Sequence, residues 1–380
     1  MATAVTNIYD LQFIQDFDLL DESFVQTANI DASPVNPSSP NYDEYIWGDG
    51  TGFRPIGNLT NPFTGTYDGQ GYTIDNLFIL RSTSSDYVGL FGVIDGVCRR
   101  ILLTNIDVKS TAKAEVGGLA GRVHYNGRAE QCGVTQGYVS NSVTSTTLGT
   151  WVGGFVGNLS GYCKDCYTSN LSVDNKSQAA NATSGGFVGL LGQSGTLAGT
   201  RMAERCYVLG ANVSGKHVGV FAGVTQSGDA AGLAARVRDC YARGNASGRT
   251  DVGSTIVGGF IGLSFRSVSP NVTEYSRCYV VATASGDTVQ AFCGSVSNPD
   301  YADFTGCYYD ADVASPLTDT NTGVSGKSTA QMKTKDTYTG WNFTTLWDIK
   351  AGINDGYPFL NPRSAKYAYS GLFRSLYMRR

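Results

Sequence analysis

The side chains that could perform nucleophilic, redox or metal chemistry in this chain are nine cysteines and two histidines. Cys163 and Cys166 form a CxxC pair, but a zinc site of this kind needs a second ligand pair, and neither a second CxxC nor a nearby histidine pair is present. His124 and His217 are not accompanied by a GxSxG nucleophile motif. We therefore predict no metal site, no cofactor and no nucleophilic catalyst.

Carboxylates offer the one serious route to an enzyme. Carbohydrate-cleaving enzymes place two acids about 5–9.5 Å apart, and parallel β-helices are familiar scaffolds for them. Asp300, Asp303, Asp310 and Asp312 cluster late in the chain, and Asp68 lies in the segment TYDGQG. An Asp-Gly step is first of all a turn, and the late group is typical of a solvated loop. We predict that the protein is not an enzyme and keep a carbohydrate lyase or hydrolase as an alternative.

The cysteines follow a regular pattern that these chemistries do not explain. One cysteine occurs in each of seven successive segments, and five of them are followed directly by tyrosine. The series is Cys98, Cys132, Cys166, Cys206, Cys240, Cys278 and Cys307. Free cysteine behaves as a small, buried apolar residue, and disulfide geometry disfavours a continuous run of bonds between stacked strands. We predict a ladder of reduced structural thiols, one for each turn of a stacked array.

A glycine-rich repeat runs in phase with the cysteines. Its copies are VGLFG (88–92), VGGLAG (116–121), VGGFVG (152–157), GGFVG (185–189), VGVFAG (218–223), VGGFIG (257–262) and VQAFCG (289–294). The closing glycines are 29 to 39 residues apart, a period typical of units that bury their apolar face only by stacking. In VGGFVG, Val152 and Phe155 are three residues apart, so either the Gly-Gly pair turns a corner or both faces of this sheet are covered.

Composition favours the same architecture. The chain has 380 residues, of which 48 are glycine and only 16% are charged. It is poor in the residues that favour long helices and rich in turn formers and β-branched residues. We predict an all-β fold, a parallel β-helix or β-solenoid of about seven repeats of about 34 residues each, capped at both ends.

Four regions are predicted along the chain. Residues 1–53 form an acidic N-terminal cap, in which the apolar spacing between Ile8 and Phe24 favours a short helix. Residues 54–310 form the solenoid, and residues 311–360 form a C-terminal capping segment. The aromatic residues predicted to cover the final coil are Trp341, Phe343, Trp347, Tyr357 and Phe359. Residues 361–380 form a basic, aromatic tail.

The two ends of the chain differ in charge. Residues 1–53 contain nine acidic residues and no Lys or Arg. The tail contains no acidic residue, and its cations are Arg363, Lys366, Arg374, Arg379 and Arg380. One interpretation is an acidic cap and a loosely packed tail. The other is a docking tail that joins copies end to end or attaches the protein to a particle through complementary charge.

Charge and hydropathy exclude two classes of partner. The formal net charge is −4, which disfavours nucleic-acid binding by the body of the protein. No run of 18 apolar residues is present, which predicts no membrane insertion. The N-terminal sequence has neither a basic region nor an apolar region of a signal peptide. This favours a virion over an exported protein, with the extracellular surface of a bacterium or archaeon as the alternative location.

The segment FRPIGNLTNPFTGTYDGQGYTIDNLFI (53–79), the repeated VGGFVG with Cys-Tyr, and the closing GWNF and NDGYPFL together resemble the GLUG-repeat family. The resemblance extends from about Tyr9 to Leu360. It implies a β-solenoid of the kind found in adhesin-like and haemagglutinin-like surface proteins, without a catalytic motif. The final 20 residues lie outside it.

These observations predict a structural or adhesive solenoid that binds a protein or glycan on a host or cell surface, or a neighbouring subunit of a particle. A virion fibre or decoration is the leading hypothesis. A self-assembling filament subunit, joined end to end, is the second alternative besides the carbohydrate-active enzyme. Loops on one side of a solenoid commonly bind partners, and the longest candidates are 134–150, 193–205 and 225–238.

Overall fold

The computed structural model describes residues 2–82, 86–112, 114–147, 149–192, 201–227, 234–266 and 272–361. Within these ranges the chain winds through four parallel β-sheets, and each full turn adds one strand to each sheet. The predicted all-β solenoid is therefore confirmed. We number the sheets 1 to 4 in the order in which a turn meets them, and we call each turn a rung.

Sheet 1 contains the strands Asp86–Val88, Ala114–Gly117, Trp151–Gly153, Thr183–Gly185, His217–Gly219, Ile256–Gly258 and Thr288–Gln290. Sheet 2 contains Phe91–Ile94, Ala120–Val123, Val156–Leu159, Val188–Gly192, Ala222–Ser227, Ile261–Arg266 and Cys293–Val296. Sheet 3 contains Thr3–Val5, Ser23–Gln26, Thr66–Asp68, Val97–Arg99, Arg128–Glu130, Tyr162–Lys164, Met202–Glu204, Arg236–Arg238, Thr273–Ser276 and Ala302–Thr305.

Sheet 4 contains Ile30–Asp31, Thr73–Asp75, Phe78–Arg81, Leu102–Ser110, Gly133–Asn141, Tyr167–Asn175, Tyr207–Gly215, Tyr241–Gly248, Tyr279–Ser285, Cys307–Asp310 and Val324–Lys327. A separate antiparallel pair joins Trp347–Asp348 to Phe359–Leu360. The α-helices are Ile8–Asp16, Glu44–Trp47, Ala311–Ala314 and Thr329–Met332, and the 3-10 turns are Ser33–Val35, Pro299–Tyr301, Lys335–Thr337 and Asn354–Gly356. None of the helices in the described ranges has the length and apolar character needed to cross a bilayer.

The glycine repeat forms the corner between sheets 1 and 2. Trp151–Gly153 belongs to sheet 1 and Val156–Leu159 to sheet 2, so Gly154 and Phe155 turn the corner. The ring of Phe155 is buried and stacks on Phe187 of the next rung, with 4.7 Å between ring centroids. A Cβ on Gly153 would lie 2.0 Å from the Val156 carbonyl oxygen, so the two strands approach more closely than a side chain permits. The corner interpretation is therefore the one observed.

The corner between sheets 3 and 4 depends on a residue with positive φ. Asp165, Arg205 and Asp239 occupy this position in three successive rungs, with φ between 53° and 55°. A buried cysteine follows each of them. Left-handed backbone at a non-glycine residue is uncommon, and here it turns the chain from sheet 3 into sheet 4.

The connection from sheet 2 to sheet 3 varies in length from rung to rung. Two residues separate Leu159 from Tyr162, whereas eight separate Ser227 from Arg236. The strands on both sides keep their register with the neighbouring rungs. Length changes at this corner therefore do not propagate into the sheets.

The N-terminal end is covered by the helix Ile8–Asp16. The Asn7 side chain caps it by accepting hydrogen bonds from the amides of Tyr9 and Asp10. Leu11 and Ile14 on its inner side are fully buried. The strands on either side of the helix pair within sheet 3, so the sheets begin inside the predicted cap of residues 1–53.

The C-terminal segment extends sheet 4 by one strand, Val324–Lys327, and then turns back. The sheets therefore continue beyond the predicted boundary at residue 310. From there Trp341, Trp347 and Tyr357 pack against the tyrosines on the outer face of sheet 4. Trp347 is fully buried and contacts both Tyr241 and Tyr279. The aromatic group thus lies along the side of the last rungs instead of across their open end.

Candidate binding face

Six of the seven predicted ladder cysteines share one register position. Each directly precedes a residue of the aligned series Gly133, Tyr167, Tyr207, Tyr241, Tyr279 and Tyr308. These cysteines are Cys132, Cys166, Cys206, Cys240, Cys278 and Cys307. All six are buried in the solenoid interior.

Cys98 does not belong to this column, and its predicted place in the ladder is wrong. It pairs with Ala129 in the middle of sheet 3, and Ala129 pairs in turn with Cys163. In its rung the positive-φ corner residue is Arg100, so Ile101 occupies the ladder position. Cys98 therefore lies before the corner, whereas the six others lie directly after it.

The same geometry explains the CxxC pair. Cys163 belongs to the sheet 3 column and Cys166 to the ladder, with the corner residue Asp165 between them. The thiol of Cys166 donates to the Ala129 carbonyl oxygen of the preceding rung at 3.3 Å. All nine cysteines are buried and free. Burial raises the pKa of the Cys98, Cys163 and Cys240 thiols, whereas for Cys206 and Cys278 hydrogen bonds from the neighbouring thiols outweigh burial and lower the pKa. The thiols pack the interior of the solenoid.

The two histidines have different surroundings. His124 places its Nδ1 atom 3.2 Å from the Asp95 carboxylate on the preceding rung. His217 is buried in sheet 1, and burial, together with the neighbouring Lys216 charge, lowers its pKa to about 4. His217 is therefore neutral near pH 7. In the part of the chain that the structure describes, no group of three His, Cys, Asp or Glu residues could hold a metal ion.

The late aspartates have structural partners. The Asp310 carboxylate is buried, caps the helix Ala311–Ala314, and accepts hydrogen bonds from the Thr329 and Tyr357 hydroxyls. Asp312 accepts from the Thr329 amide at 2.8 Å. Asp300 and Asp303 are exposed. These contacts attach the C-terminal segment to sheet 4.

Asp68 also has a structural role. Burial disfavours its ionised form, but hydrogen bonds from the Arg100 side chain and the Gln70 amide, together with the charges of Arg100 and Arg99, outweigh burial and lower its pKa. Both arginines form ion pairs with its carboxylate. The carboxylate is thus held ionised between two cations.

The predicted binding loops are placed only in part. Within the range 134–150, residues 134–141 belong to the sheet 4 strand Gly133–Asn141, so this part is not a loop. Residues 193–200 and 228–233 lie outside the described residues, as do the tail cations Arg363, Lys366, Arg374, Arg379 and Arg380. The structure therefore describes only part of the predicted loop surface.

A polar surface that was not predicted covers the outer face of sheet 4. In the strand Tyr207–Gly215, the side chains of Val208, Ala211 and Val213 pack into the interior. Because side chains alternate along a strand, Asn212 and Ser214 point outward. Ser172, Asn212, Asn245 and Thr283 share one register position. Aligning the repeats on their tyrosines does not show this column, because the first two residues lie five positions after the tyrosine and the last two lie four positions after it.

The outward side chains bond to one another across rungs. The Asn245 amide donates to the Asn212 side chain oxygen at 2.8 Å, and the Thr283 hydroxyl donates to the Asn245 side chain oxygen at 2.6 Å. Two residues further along, Asp174 accepts hydrogen bonds from Ser214 and Arg249. These groups line a surface cavity of about 330 Å³. The result is an ordered row of donors and acceptors at rung spacing.

A larger groove adjoins this row. Asn105, Gln136, Asn170 and Gly210 each add a residue with positive φ to their strand of sheet 4. The next strand, Tyr241–Gly248, lacks this extra residue, and the register shifts between Leu209 and Ala211. The outer face of sheet 4 is therefore one residue shorter at this strand than on the preceding rung. Residues 352–357 of the C-terminal segment form the opposite wall of a groove of about 600 Å³.

Arg243 joins the two walls of the groove. Its guanidinium donates to the Asn354 side chain oxygen at 2.9 Å and forms an ion pair with Asp355. It also lies 5.1 Å from the centre of the Tyr357 ring. The hydrogen bond and the charge of Arg243 lower the pKa of Asp355, so the pair is ionised near neutral pH.

We call the combined surface, residues 169–174, 209–214 and 243–249 with the wall 352–357, the sheet 4 binding face. It offers side-chain donors and acceptors, an apolar strip at Leu209 and Val281, and paired charges. An apolar strip with convergent polar groups is the usual composition of a ligand-binding surface.

Comparison with known proteins finds partial sequence matches and a match to a solved structure. Over 152 residues, 38% of this chain, it is 38% identical to "Halomucin" of Haloquadratum walsbyi, of which the match covers 2%. Over 117 residues, 30% of this chain, it is 38% identical to a "Putative Gly-rich membrane protein" of Evansella cellulosilytica, of which the match covers 11%. The chain thus spans a small part of either relative.

The solved structure of a "putative immunoglobulin A1 protease" from Bacteroides ovatus matches the fold. The TM-score is 0.53, at 19% sequence identity, over 95% of this chain and 92% of the other. At this identity the likeness shows the fold alone. No family model matches the chain, and the GLUG-repeat resemblance stays a prediction.

Proposed function

We propose that this chain is a non-catalytic structural or adhesive solenoid, displayed on an outer surface, that binds its partner through the sheet 4 binding face. The observation that carries the proposal is this face itself. It is an ordered, outward row of hydrogen-bonding side chains beside a groove, on a rigid stack of strands. Solenoids commonly use such extended surfaces for recognition.

The names of the two sequence relatives support an outer location. One is named a halomucin and the other a Gly-rich membrane protein. Within this proposal, a virion fibre or decoration and a bacterial or archaeal cell surface are the two places for the chain. Protease treatment of intact source cells and of purified particles tests the location. Loss of the protein from either fraction supports display, and complete protection inside cells would overturn it.

Adhesion is tested with the purified protein. We expect the fluorescently labelled chain to bind intact host or neighbouring cells, and the variant Asn245→Trp, which places a bulky ring on the exposed face, to bind at least tenfold less. The matched variant Tyr45→Trp alters an exposed residue at the N-terminal end and should bind as the unaltered protein does. Equal binding by both variants would remove the sheet 4 binding face from the proposal.

The enzyme alternative has its own test. The proposal expects no new reducing ends when the protein is incubated with a broad panel of polysaccharides. The structure supports this expectation, because Asp68 is paired with arginines and Asp310 caps a helix. Steady release of reducing ends, lost in Asp310→Asn, would favour a carbohydrate-active enzyme.

Self-assembly is a second candidate, and one surface favours it. On the helix Ile8–Asp16 and directly after it, Phe13 and Phe17 stack with 4.0 Å between ring centroids and are 46% and 63% exposed. Tyr45, on the helix Glu44–Trp47, is 95% exposed. Exposed apolar groups of this kind mark contact surfaces. Light scattering from low to high salt, with Phe13→Ser/Phe17→Ser as the variant, tests it. A monomer mass under all conditions would exclude it.

A further inference from the structure

The groove of the sheet 4 binding face has the properties of a site for one class of ligand. Its floor contains Leu209 and Val281, which flank Arg243 at one register position, and the ring of Tyr357 forms part of the wall. Side chains that donate and accept hydrogen bonds, among them Asn170 and Asn354, surround this apolar strip. An apolar floor with a few convergent polar groups is the usual composition of a small-ligand site.

One polar atom in the groove lacks a partner. The Nε atom of Arg243 is buried and has no hydrogen-bond acceptor among the described residues. The other nitrogens of the guanidinium contact Asn354 and Asp355. A buried donor without an acceptor costs free energy, and because the atom is closed to solvent, a ligand oxygen would reach it only after the guanidinium moves.

The charges of the face select against an anionic ligand. Arg243 is paired with Asp355, and Arg249 is paired with both Asp174 and Asp251. Lys333, 4.8 Å from the centre of the Tyr357 ring, is a third cation at the wall. The three cations equal the three carboxylates in number, so the face has no excess of positive charge to attract phosphate, sulfate or uronate groups.

The backbone of the face is also unavailable to a peptide. Each strand of sheet 4 over these rungs is paired on both sides, for example Tyr207–Gly215 with Tyr167–Asn175 and with Tyr241–Gly248. A peptide that binds by strand addition needs an open sheet edge, so only side chains are offered here. These repeat at the rung spacing of about 4.8 Å, which is close to the length of one pyranose unit.

We infer that the sheet 4 binding face binds a neutral, linear oligosaccharide that runs along the solenoid axis, with sugar faces on the apolar strip and hydroxyls on the asparagine and serine side chains. The inference rests on the proposed function and names its ligand class. Sugar hydroxyls both donate and accept, as do the Asn212 and Asn245 amides that they would contact.

Isothermal titration calorimetry with neutral oligomers of glucose, xylose, mannose and N-acetylglucosamine tests the inference. We expect at least one series to bind, with affinity rising with length up to about three or four sugars. Asn245→Ala should weaken binding about fivefold by removing a hydrogen-bonding group, and Leu209→Ala should weaken it by a similar factor. Ser285→Ala, an exposed change on the adjacent rung, is the matched control. Circular dichroism verifies that each variant is folded.

Three results would overturn the inference. The first is that no neutral series binds, and the second is that the folded Asn245→Ala and Leu209→Ala variants bind the sugars as tightly as the unaltered protein does. The third is an affinity that falls steeply between 50 mM and 1 M salt, about as expected for an anionic ligand. Failure of the inference is distinguishable from failure of the proposed function. Labelled protein that still adheres to cells, without binding these sugars, retains the adhesive role and assigns the face to a protein partner.

Discussion

At the scale of single residues, burial decides what the reactive side chains can do. Each of the nine cysteines is enclosed by the stacked strands. Asp68 and Asp310 are engaged by arginines, hydroxyls and a helix cap. Neutral amides and hydroxyls stay exposed on the outside of sheet 4.

Thiol accessibility gives the first prediction. We expect the native protein to react with a thiol-labelling reagent at none of its nine cysteines within minutes, because all are buried and the pKa of thiols such as Cys98 and Cys163 is raised. Denaturant should expose all nine. Mass spectrometry counts the labels before and after unfolding. Rapid labelling of one ladder cysteine in the native state would contradict the packing described above.

The second prediction concerns acid stability. The pKa of Asp68 is lower in the folded protein than its unfolded value of about 3.9, so its stabilising effect is present above that value and lost as pH falls through the folded pKa. We expect Asp68→Asn to be about 2 kcal/mol less stable at pH 7, in line with hydrogen bonds to a charged group. The difference should decrease as pH falls below the unfolded value and disappear once the carboxylate is protonated in the folded protein.

Urea unfolding at several pH values measures that difference. Asp303→Asn is the control, since Asp303 is exposed and forms no ion pair within the described ranges. A constant difference between the unaltered protein and Asp68→Asn from pH 7 to pH 3 would show that the carboxylate charge is not what stabilises this site.

At the scale of elements, local sequence predicted strands and corners better than it predicted what packs on them. The glycine copies identified sheets 1 and 2 because backbone approach at Gly153 excludes a side chain. The corner after sheet 3 was less visible, since Asp165, Arg205 and Arg100 share a φ value but not a residue type. Cys98 was therefore assigned by its spacing to the wrong side of that corner.

The outer face of sheet 4 and the C-terminal segment show the same limit. Trp347 and Tyr357 were recognisable as a buried aromatic group, but no periodicity indicates which face they cover. Their position depends on contacts between residues distant in sequence, such as the hydrogen bond from the Trp347 ring to Asp239. The residues of the polar row occupy equivalent positions in successive rungs. The extra residue at Asn170 shifts them by one position relative to the later repeats, and this hides the alignment in the sequence.

The third prediction tests the C-terminal segment. Trp347→Ala removes a fully buried ring that contacts Tyr241 and Tyr279, a loss of about 3–5 kcal/mol. We expect residues 311–361 to detach and become at least tenfold more sensitive to limited proteolysis, while the rungs stay folded. Tyr45→Ala, which truncates an exposed ring at the other end, should leave the cleavage rate unchanged. Unaltered cleavage in Trp347→Ala would show that other contacts hold the segment.

At the scale of the whole molecule, the repeats make the protein nearly one-dimensional. Each rung pairs with the rungs before and after it, so stability is approximately a sum of rung terms and neighbour terms. The fold class followed from the repeat alone. The repeat does not indicate the location on a virion or a cell, the partner or the role of the tail. These stay predictions.

The fourth prediction follows from this regularity. Thr183 and His217 occupy the same register position in successive rungs, so deleting residues 183–216 removes one complete rung. We expect the shortened chain to fold, with a lower melting temperature and a body about 4.8 Å shorter. Deleting residues 183–199 instead removes about half a rung and should prevent folding. Circular dichroism and small-angle scattering distinguish these outcomes, and equal behaviour of the two deletions would contradict the rung description.

The varying connection between sheets 2 and 3 has a consequence for evolution and engineering. Its length changes from two residues after Leu159 to eight after Ser227 while the flanking strands hold their places. Foreign peptides can therefore be grafted at this edge, one above another, on a scaffold that tolerates them. Several grafts on one molecule would act together through avidity, so weak individual recognition could be multiplied without redesigning the scaffold.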